Sequence, residues 1–245
     1  MKFFKFIIVY LLVIGVGACS DPVVSPTSSK TYKLLFVGNS FTFYNSGVDY
    51  HLQQMLEADK SSDPTTYTIQ KIAVSSYTLQ DHYNDSLTIR KIRSDKWDKV
   101  VLQELSTRPM TNRVWFLQYA TLLDAKIKKE SASTVLYMTW PEKATPTDIN
   151  SLSSAYLYVG QQIKAPVVPV GLVWEYVVNN YPQLNLYYTD DKHPALTGTF
   201  LIACTFYFSL FNKNPVINSY LPAGLNINDA IVIRKAVNDF MTLYK

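Results

Sequence analysis

Downstream of residue 30, short apolar runs rich in β-branched residues alternate with longer stretches of helical periodicity. The short runs predict strands at Tyr32–Val37, Tyr67–Val74, Lys99–Gln103, Thr134–Thr139 and Val167–Val170. The longer stretches predict helices over Gly47–Ala58, Asn112–Glu130, Thr147–Ile163, Ala195–Phe211 and Ile227–Leu243, and Leu79–Ser94 reads as mixed and partly helical. Ser46-Gly47-Val48-Asp49 has the spacing of a capping box for the first helix. Regular β-then-α alternation predicts an α/β fold, a three-layer α/β/α sandwich on a parallel sheet of about five strands. The strands are apolar throughout rather than alternating, as strands buried on both faces are. In open sheets of this kind, sites lie beyond the carboxyl ends of the strands. That rule places Gly38–Ser40, Ser75–Ser76, Gln103–Glu104 and Trp140 along one edge.

The N-terminus has a different pattern. Lys2 and Lys5 precede an apolar run, Phe6–Val16, of signal-peptide length, which ends in Val16-Gly17-Ala18-Cys19. This resembles the lipobox of bacterial lipoproteins, which implies that residues 1–18 are removed and the Cys19 thiol is diacylated. Residues 19–30, rich in Pro, Ser and Thr, then form a tether, and 31–245 form one domain. Without Lys2 and Lys5 the basic residues outnumber the 19 acidic ones by only about two. No basic run suggests nucleic acid. Cys204, in "FLIACTFYF", is the only other cysteine; it reads as a buried inert thiol. That apolar stretch is too short to span a membrane.

Candidate chemistry starts at "KLLFVGNSFTFYNSGVDY", where an apolar strand stops at a serine on a tight turn. A serine hydroxyl needs a base, an orienter for that base, and donors for the oxyanion. The sequence has three histidines. His51 lies in the first helix and reads as structural or surface; His82, in "TLQDHYND", reads as solvated or capping, with a pocket position as the alternative. His193 lies in "YTDDKHPALTGTF", on a loop before a helix in which Pro194 fits the first position. Asp190, three residues earlier, can turn back onto one imidazole nitrogen; a capped helix start with a charged loop is the other reading.

"FVGNSFT" and "DDKHP" together resemble the first and last blocks of the SGNH (GDSL-like) hydrolases. The resemblance implies a flavodoxin-like sheet, Ser40 as nucleophile, His193 as base and Asp190 as its orienter. It also implies oxyanion donors from Ser40, from the second block and from the third. The chain departs from the family in the last two. There is no glycine between Gly47 and Gly160, so Ser75 or, preferably, Ser76 stands in the second block. Gln103 stands where the third-block asparagine is usual, followed by Glu104, as in a divergent branch of bacterial surface lipoproteins. The alternative for Gln103 is a polar tie between strand end and loop, and for Glu104 a choice between holding a loop and touching substrate. Asn39 replaces the usual aspartate beside the nucleophile and is a candidate substrate contact. Trp140 and Trp174 either wall a pocket or belong to the core. There is no metal-ligand spacing, phosphate loop or dinucleotide fingerprint, so no cofactor is expected.

The expected protein is a lipid-anchored serine ester hydrolase of the bacterial cell envelope. Ser20, a non-acidic residue after the cysteine, leans towards the outer membrane. The family implies removal of small acyl groups, acetyl foremost, from carbohydrate. The rival is a glycan-binding lipoprotein that keeps the fold with a decayed site.

Overall fold

The computed structural model describes residues 1–3, 30–59 and 65–244. The segment carrying Phe6–Val16, Cys19 and Ser20, and with it the signal-peptide, lipidation and tether readings, lies outside the described residues. Among those described, no helix is long and apolar enough to cross a membrane.

Five parallel strands form the sheet: β1 (Thr31–Gly38), β2 (Thr66–Ala73), β3 (Lys99–Leu102), β4 (Ser133–Tyr137) and β5 (Val167–Val168), in the order β2-β1-β3-β4-β5. Strand order reverses at β1, where open α/β sheets carry their crevice. Gly38 registers with Ala73, and Val37 with Leu102. The segments that follow β1, β2 and β3 therefore emerge side by side.

The continuous apolar runs divide by parity between two cores, because successive side chains on a strand point to opposite faces. Leu34, Phe36, Val101, Val135 and Tyr137 pack on one face with α2 (Val48–Ala58), α8 (Val170–Asn180), α9 (Leu196–Phe211) and α10 (Ile227–Leu243). Leu35, Val37, Val100, Leu102 and Leu136 pack on the other with α3 (Leu79–Asn84), α4 (Ser86–Ser94), α6 (Arg113–Lys129) and α7 (Ile149–Ile163). Helix α9 is apolar on every side because it is enclosed: every residue from Gly198 to Phe208 is buried, Cys204 among them.

Several local expectations change. Two short helices, α1 (Ser40–Phe43) and α5 (Arg108–Thr111), follow β1 and β3; at four residues each they carry no period to detect. Trp174, inside α8, is buried and belongs to the core. The Leu79–Ser94 segment is two helices, with Asp85 accepting from the Leu87 and Thr88 N–H groups at the start of α4. The capping box is not at Ser46–Asp49. There the helix is preceded by Gly47 at φ 99° with no side-chain cap, and Asp49 instead pairs with Lys71 Nζ at 2.9 Å. A Cβ at position 47 would sit 2.4 Å from an Asp49 carboxylate oxygen, so both space and dihedral require glycine. The reciprocal cap occurs at Thr78 and Asp81, at the start of α3. Pro194 does not begin α9; it forms an isolated antiparallel bridge with Tyr187, and Ala195 is the residue before the helix.

Candidate active site

Ser40 is the first residue of α1, directly beyond β1. Its carbonyl accepts from the Tyr44 N–H at 3.1 Å, and the residues around it fix the turn. The Asn39 N–H donates to Gln103 Oε1 at 2.8 Å, the Thr42 hydroxyl donates to the same oxygen at 3.0 Å, and the Asn39 side chain accepts from the Phe41 N–H. Gln103 can come this close only because Gly38 has no side chain: a Cβ there would lie 2.5 Å from Gln103 Oε1.

The loop before α9 brings His193 to this turn. His193 Nε2 lies 2.9 Å from Ser40 Oγ, and His193 Nδ1 lies 2.5 Å from Asp190 Oδ2. The other carboxylate oxygen, Oδ1, accepts from the Lys192 and His193 N–H groups at 3.1 and 2.9 Å. Partial burial raises the Asp190 pKa, but the bonds from the His193 ring and the two backbone N–H groups outweigh it and hold the carboxyl below its ordinary value. Asp190 is therefore ionised at neutral pH and accepts a hydrogen bond from the Nδ1–H group. Nε2 is left with a lone pair facing the serine hydroxyl, the tautomer a general base requires.

The loop itself is fastened at several points. Tyr188 N–H donates to the His193 carbonyl at 2.7 Å, and Asp191 takes a left-handed conformation at φ 56°. Trp140 Nε1 donates to the Lys192 carbonyl at 3.1 Å, and Asn45 Nδ2 to the Pro194 carbonyl at 2.9 Å. The exposed pairs Lys143–Asp191 and Lys192–Glu142 add little. The imidazole is sandwiched by aromatics: Tyr44 stacks on it at 4.3 Å and 7°, and Phe41 meets it edge-on at 5.6 Å. Phe41, Trp140 and Trp174 continue as a stack, at 4.5 Å and then 4.1 Å between ring centres.

Ser76 occupies the turn after β2 at φ 61°, exposed to solvent. It thus adopts with a side chain the backbone conformation that a glycine would adopt without strain. This turn abuts the one that carries Ser40: Val74 N–H donates to the Gly38 carbonyl at 3.1 Å, and Asn39 Nδ2 donates to the Tyr77 carbonyl at 2.9 Å. Among the described residues no acceptor pairs with the N–H of Ser40 or of Ser76.

On this geometry the roles expected of Gln103 and Asn39 change, and the open readings of Trp140 and Glu104 are decided against substrate contact. Gln103 is fully buried; its carbonyl oxygen takes two donors from the nucleophile turn and its amide donates to the Glu104 carbonyl at 2.6 Å. The partners require that orientation, because the Asn39 N–H needs an acceptor and the Glu104 carbonyl needs a donor. Gln103 is the polar tie at the strand end and does not present its amide to an oxyanion. Asn39 is 1% exposed with both side-chain ends engaged, so it holds two turns together and does not face substrate. Trp140, also 1% exposed, is core, and its role is to support the histidine loop. Glu104 is buried with Oε1 accepting from the Leu105 and Leu79 N–H groups at 2.7 and 3.2 Å, so it holds loops and does not touch substrate.

His82 is buried rather than solvated. Its Nε2 donates to the Gly38 carbonyl at 2.8 Å, and its pKa is lowered chiefly by burial. His51 lies between the Asn45 carbonyl and the Tyr220 hydroxyl, and burial lowers its pKa as well. Tyr44 and Asn45 were not anticipated. Both lie in the quoted opening stretch, but nothing in their spacing shows that they meet a loop some 150 residues away. Among the described residues no group of three or more His, Cys, Asp or Glu side chains is placed to hold a metal ion.

Burial pushes the Glu104 pKa up to about 7, against the two N–H bonds and the Arg108 charge. The folded-state value thus exceeds the ordinary 4.5. Between those values the native state binds more protons than the unfolded chain, and stability falls as pH rises. The stability of wild type relative to Glu104→Gln should therefore drop by roughly 3 kcal/mol at most from pH 5 to pH 8. Urea melts of both proteins at the two pH values measure it, and a difference that does not change with pH would show that Glu104 keeps an ordinary pKa.

By sequence, no family model and no curated protein matches the chain. Solved structures do. A DUF4886 family protein from Bacteroides uniformis superposes with a TM-score of 0.72 at 16% identity, over 87% of this chain and 95% of its own. A protein from Slackia heliotrinireducens assigned to the SGNH hydrolases superposes at 0.60 and 22% identity, over 74% and 100%. The acetyl xylan esterase AlAXEase superposes at 0.57 and 17% identity, over 73% and 99%. With its five-stranded parallel sheet between two helical layers, this chain has the fold of the SGNH/GDSL-like hydrolases.

Proposed function

We propose that the protein is a serine ester hydrolase that removes small acyl groups, acetyl foremost, from carbohydrate, and that it works in the bacterial envelope, most naturally at the outer membrane, anchored through a lipidated Cys19. The observation that carries the reaction is the continuous chain from Ser40 Oγ through the His193 ring to the Asp190 carboxylate. His193 Nε2 takes the hydroxyl proton as Ser40 Oγ attacks the ester carbonyl. The N–H groups of Ser40 and Ser76 receive the oxyanion. Collapse breaks the ester C–O bond, and the alcohol leaves with the proton from His193. Water, deprotonated by His193, then attacks the acyl-serine, frees the acid and returns Ser40 to its hydroxyl form. The ionised Asp190 stabilises the imidazolium in both halves.

Carbohydrate is favoured by aromatic faces at the rim. Tyr188 is exposed and Tyr44 partly so, with their rings 6.0 Å apart beside His193. The acetyl xylan esterase of like fold supports the same choice of acyl group and alcohol. The test uses the full chain in detergent with 4-nitrophenyl acetate, acetylated xylo-oligosaccharide and a fluorophosphonate probe. Hydrolysis and labelling are expected in wild type and absent in Ser40→Ala. Equal behaviour of the two proteins would overturn the reading in favour of a glycan-binding protein.

A further inference from the structure

We infer that Glu104 is a positioning residue for the oxyanion turn, the counterpart of what Gln103 does for the nucleophile turn; this rests on the esterase reading above. The two residues are adjacent at the end of β3, and their side chains grip different segments. Gln103 Oε1 takes the Asn39 N–H and the Thr42 hydroxyl, which seats Ser40. Glu104 Oε1 takes the Leu79 N–H, the first residue of α3, and the Leu105 N–H. The Gln103 amide closes the pair by donating to the Glu104 carbonyl.

Between the end of β2 and α3 lies the turn that carries Ser76. Besides its own closure by Tyr77 N–H on the Val74 carbonyl and the Thr78–Asp81 cap, it is tied to the sheet edge at three points: Val74 N–H on the Gly38 carbonyl, the Tyr77 carbonyl on Asn39 Nδ2, and Leu79 N–H on Glu104. The first two reach back to the nucleophile strand and the third to β3. A serine at φ 61° persists only where its surroundings over-determine it. Without the third point the turn loses its tie to β3; among the described residues its remaining bonds are local or to Gly38 and Asn39, and the N–H of Ser76 loses its aim. The titratable groups facing the carboxylate are Asp81 from α3, Arg108 from α5 and Tyr156 from α7. None of them replaces it as an acceptor for Leu79.

The variants Glu104→Ala, Glu104→Asp and Glu104→Gln decide it, each in the full chain. Glutamine keeps an acceptor oxygen at the same reach, whereas aspartate keeps the carboxyl group but falls one methylene short. In Ala and Asp, kcat for 4-nitrophenyl acetate should fall roughly thirtyfold or more with KM within about twofold, and in Gln it should return to within about threefold of wild type. Amide hydrogen exchange across residues 74–79 should speed up about tenfold or more in Ala and Asp, but not in Gln. If the Ala variant does not fold, the Asp and Gln pair carries the comparison. Wild-type kcat in Asp, or exchange at 74–79 unchanged in the variants, overturns the inference. An inert wild type would instead overturn the esterase reading, and the exchange data would still decide whether Glu104 holds the turn.

Discussion

Replacing Asp190 by asparagine should lower kcat for 4-nitrophenyl acetate by about three to four powers of ten while leaving the fold intact. The reason lies in the second carboxylate oxygen. Oδ1 accepts from two backbone N–H groups, those of Lys192 and His193. An asparagine must keep its own oxygen there, since an amide NH2 facing two donors would be repelled. Its NH2 is then turned towards Nδ1 of His193, which now has to accept. The ring is forced into the tautomer with hydrogen on Nε2, and that nitrogen can no longer take the Ser40 proton. The aspartate side chain is 42% exposed, so the swap costs little stability. Steady-state kinetics with a thermal melt as control measure the effect; a loss of less than tenfold would show that the carboxylate does not set the tautomer.

The largest effect on stability is expected from Trp140→Ala. The indole is buried between Phe41 and Trp174, with stacking distances of 4.5 and 4.1 Å, so truncation leaves a cavity between rings that cannot close over it. A loss of about 3–5 kcal/mol follows, which for a chain of this size is roughly a 10 °C fall in Tm. Trp140→Phe separates packing from the tether. It keeps most of the ring contact but removes the N–H that donates to the Lys192 carbonyl. It should cost only about 1–2 kcal/mol, with kcat reduced severalfold as the histidine loop loosens. Thermal melts by circular dichroism distinguish the two, and a Tm for Trp140→Ala within about 3 °C of wild type would show that the stack contributes little.

The layered fold was legible because continuous apolar runs at β1, β3 and β4 alternate with the long helical stretches of α2, α6, α7, α9 and α10. Helices α1 and α5 were not, because one turn of helix has no period. Ser40, Asp190 and His193 could be singled out because each reading uses only neighbouring residues: a serine after a strand, and an aspartate three before a histidine. Asn39, Gln103, Glu104 and Trp140 were found at the right edge of the sheet, yet the contacts expected of Asn39 with substrate and of Gln103 with the oxyanion did not follow, and for Glu104 and Trp140 the sequence left the choice open. Sequence position fixes where a strand ends, not whether the next side chain points outward or back beneath the turn. That choice is made by partners from other segments, such as the Asn39 N–H for Gln103 and the Leu79 N–H for Glu104. Tyr44 and Asn45 meet the histidine loop only in three dimensions, so no local pattern could mark them.

The nucleophile and its base are separated by 153 positions, and the helix that follows the base is enclosed on all sides by the rest of the domain. A growing polypeptide therefore carries a serine with no partner until residue 193 of 245 has been made, and the ordering entropy of so distant a contact is recovered only when α9 finds its place. The pairing of serine with imidazole is thus a late product of folding: until α9 has docked, the hydroxyl at position 40 has nothing to hand its proton to.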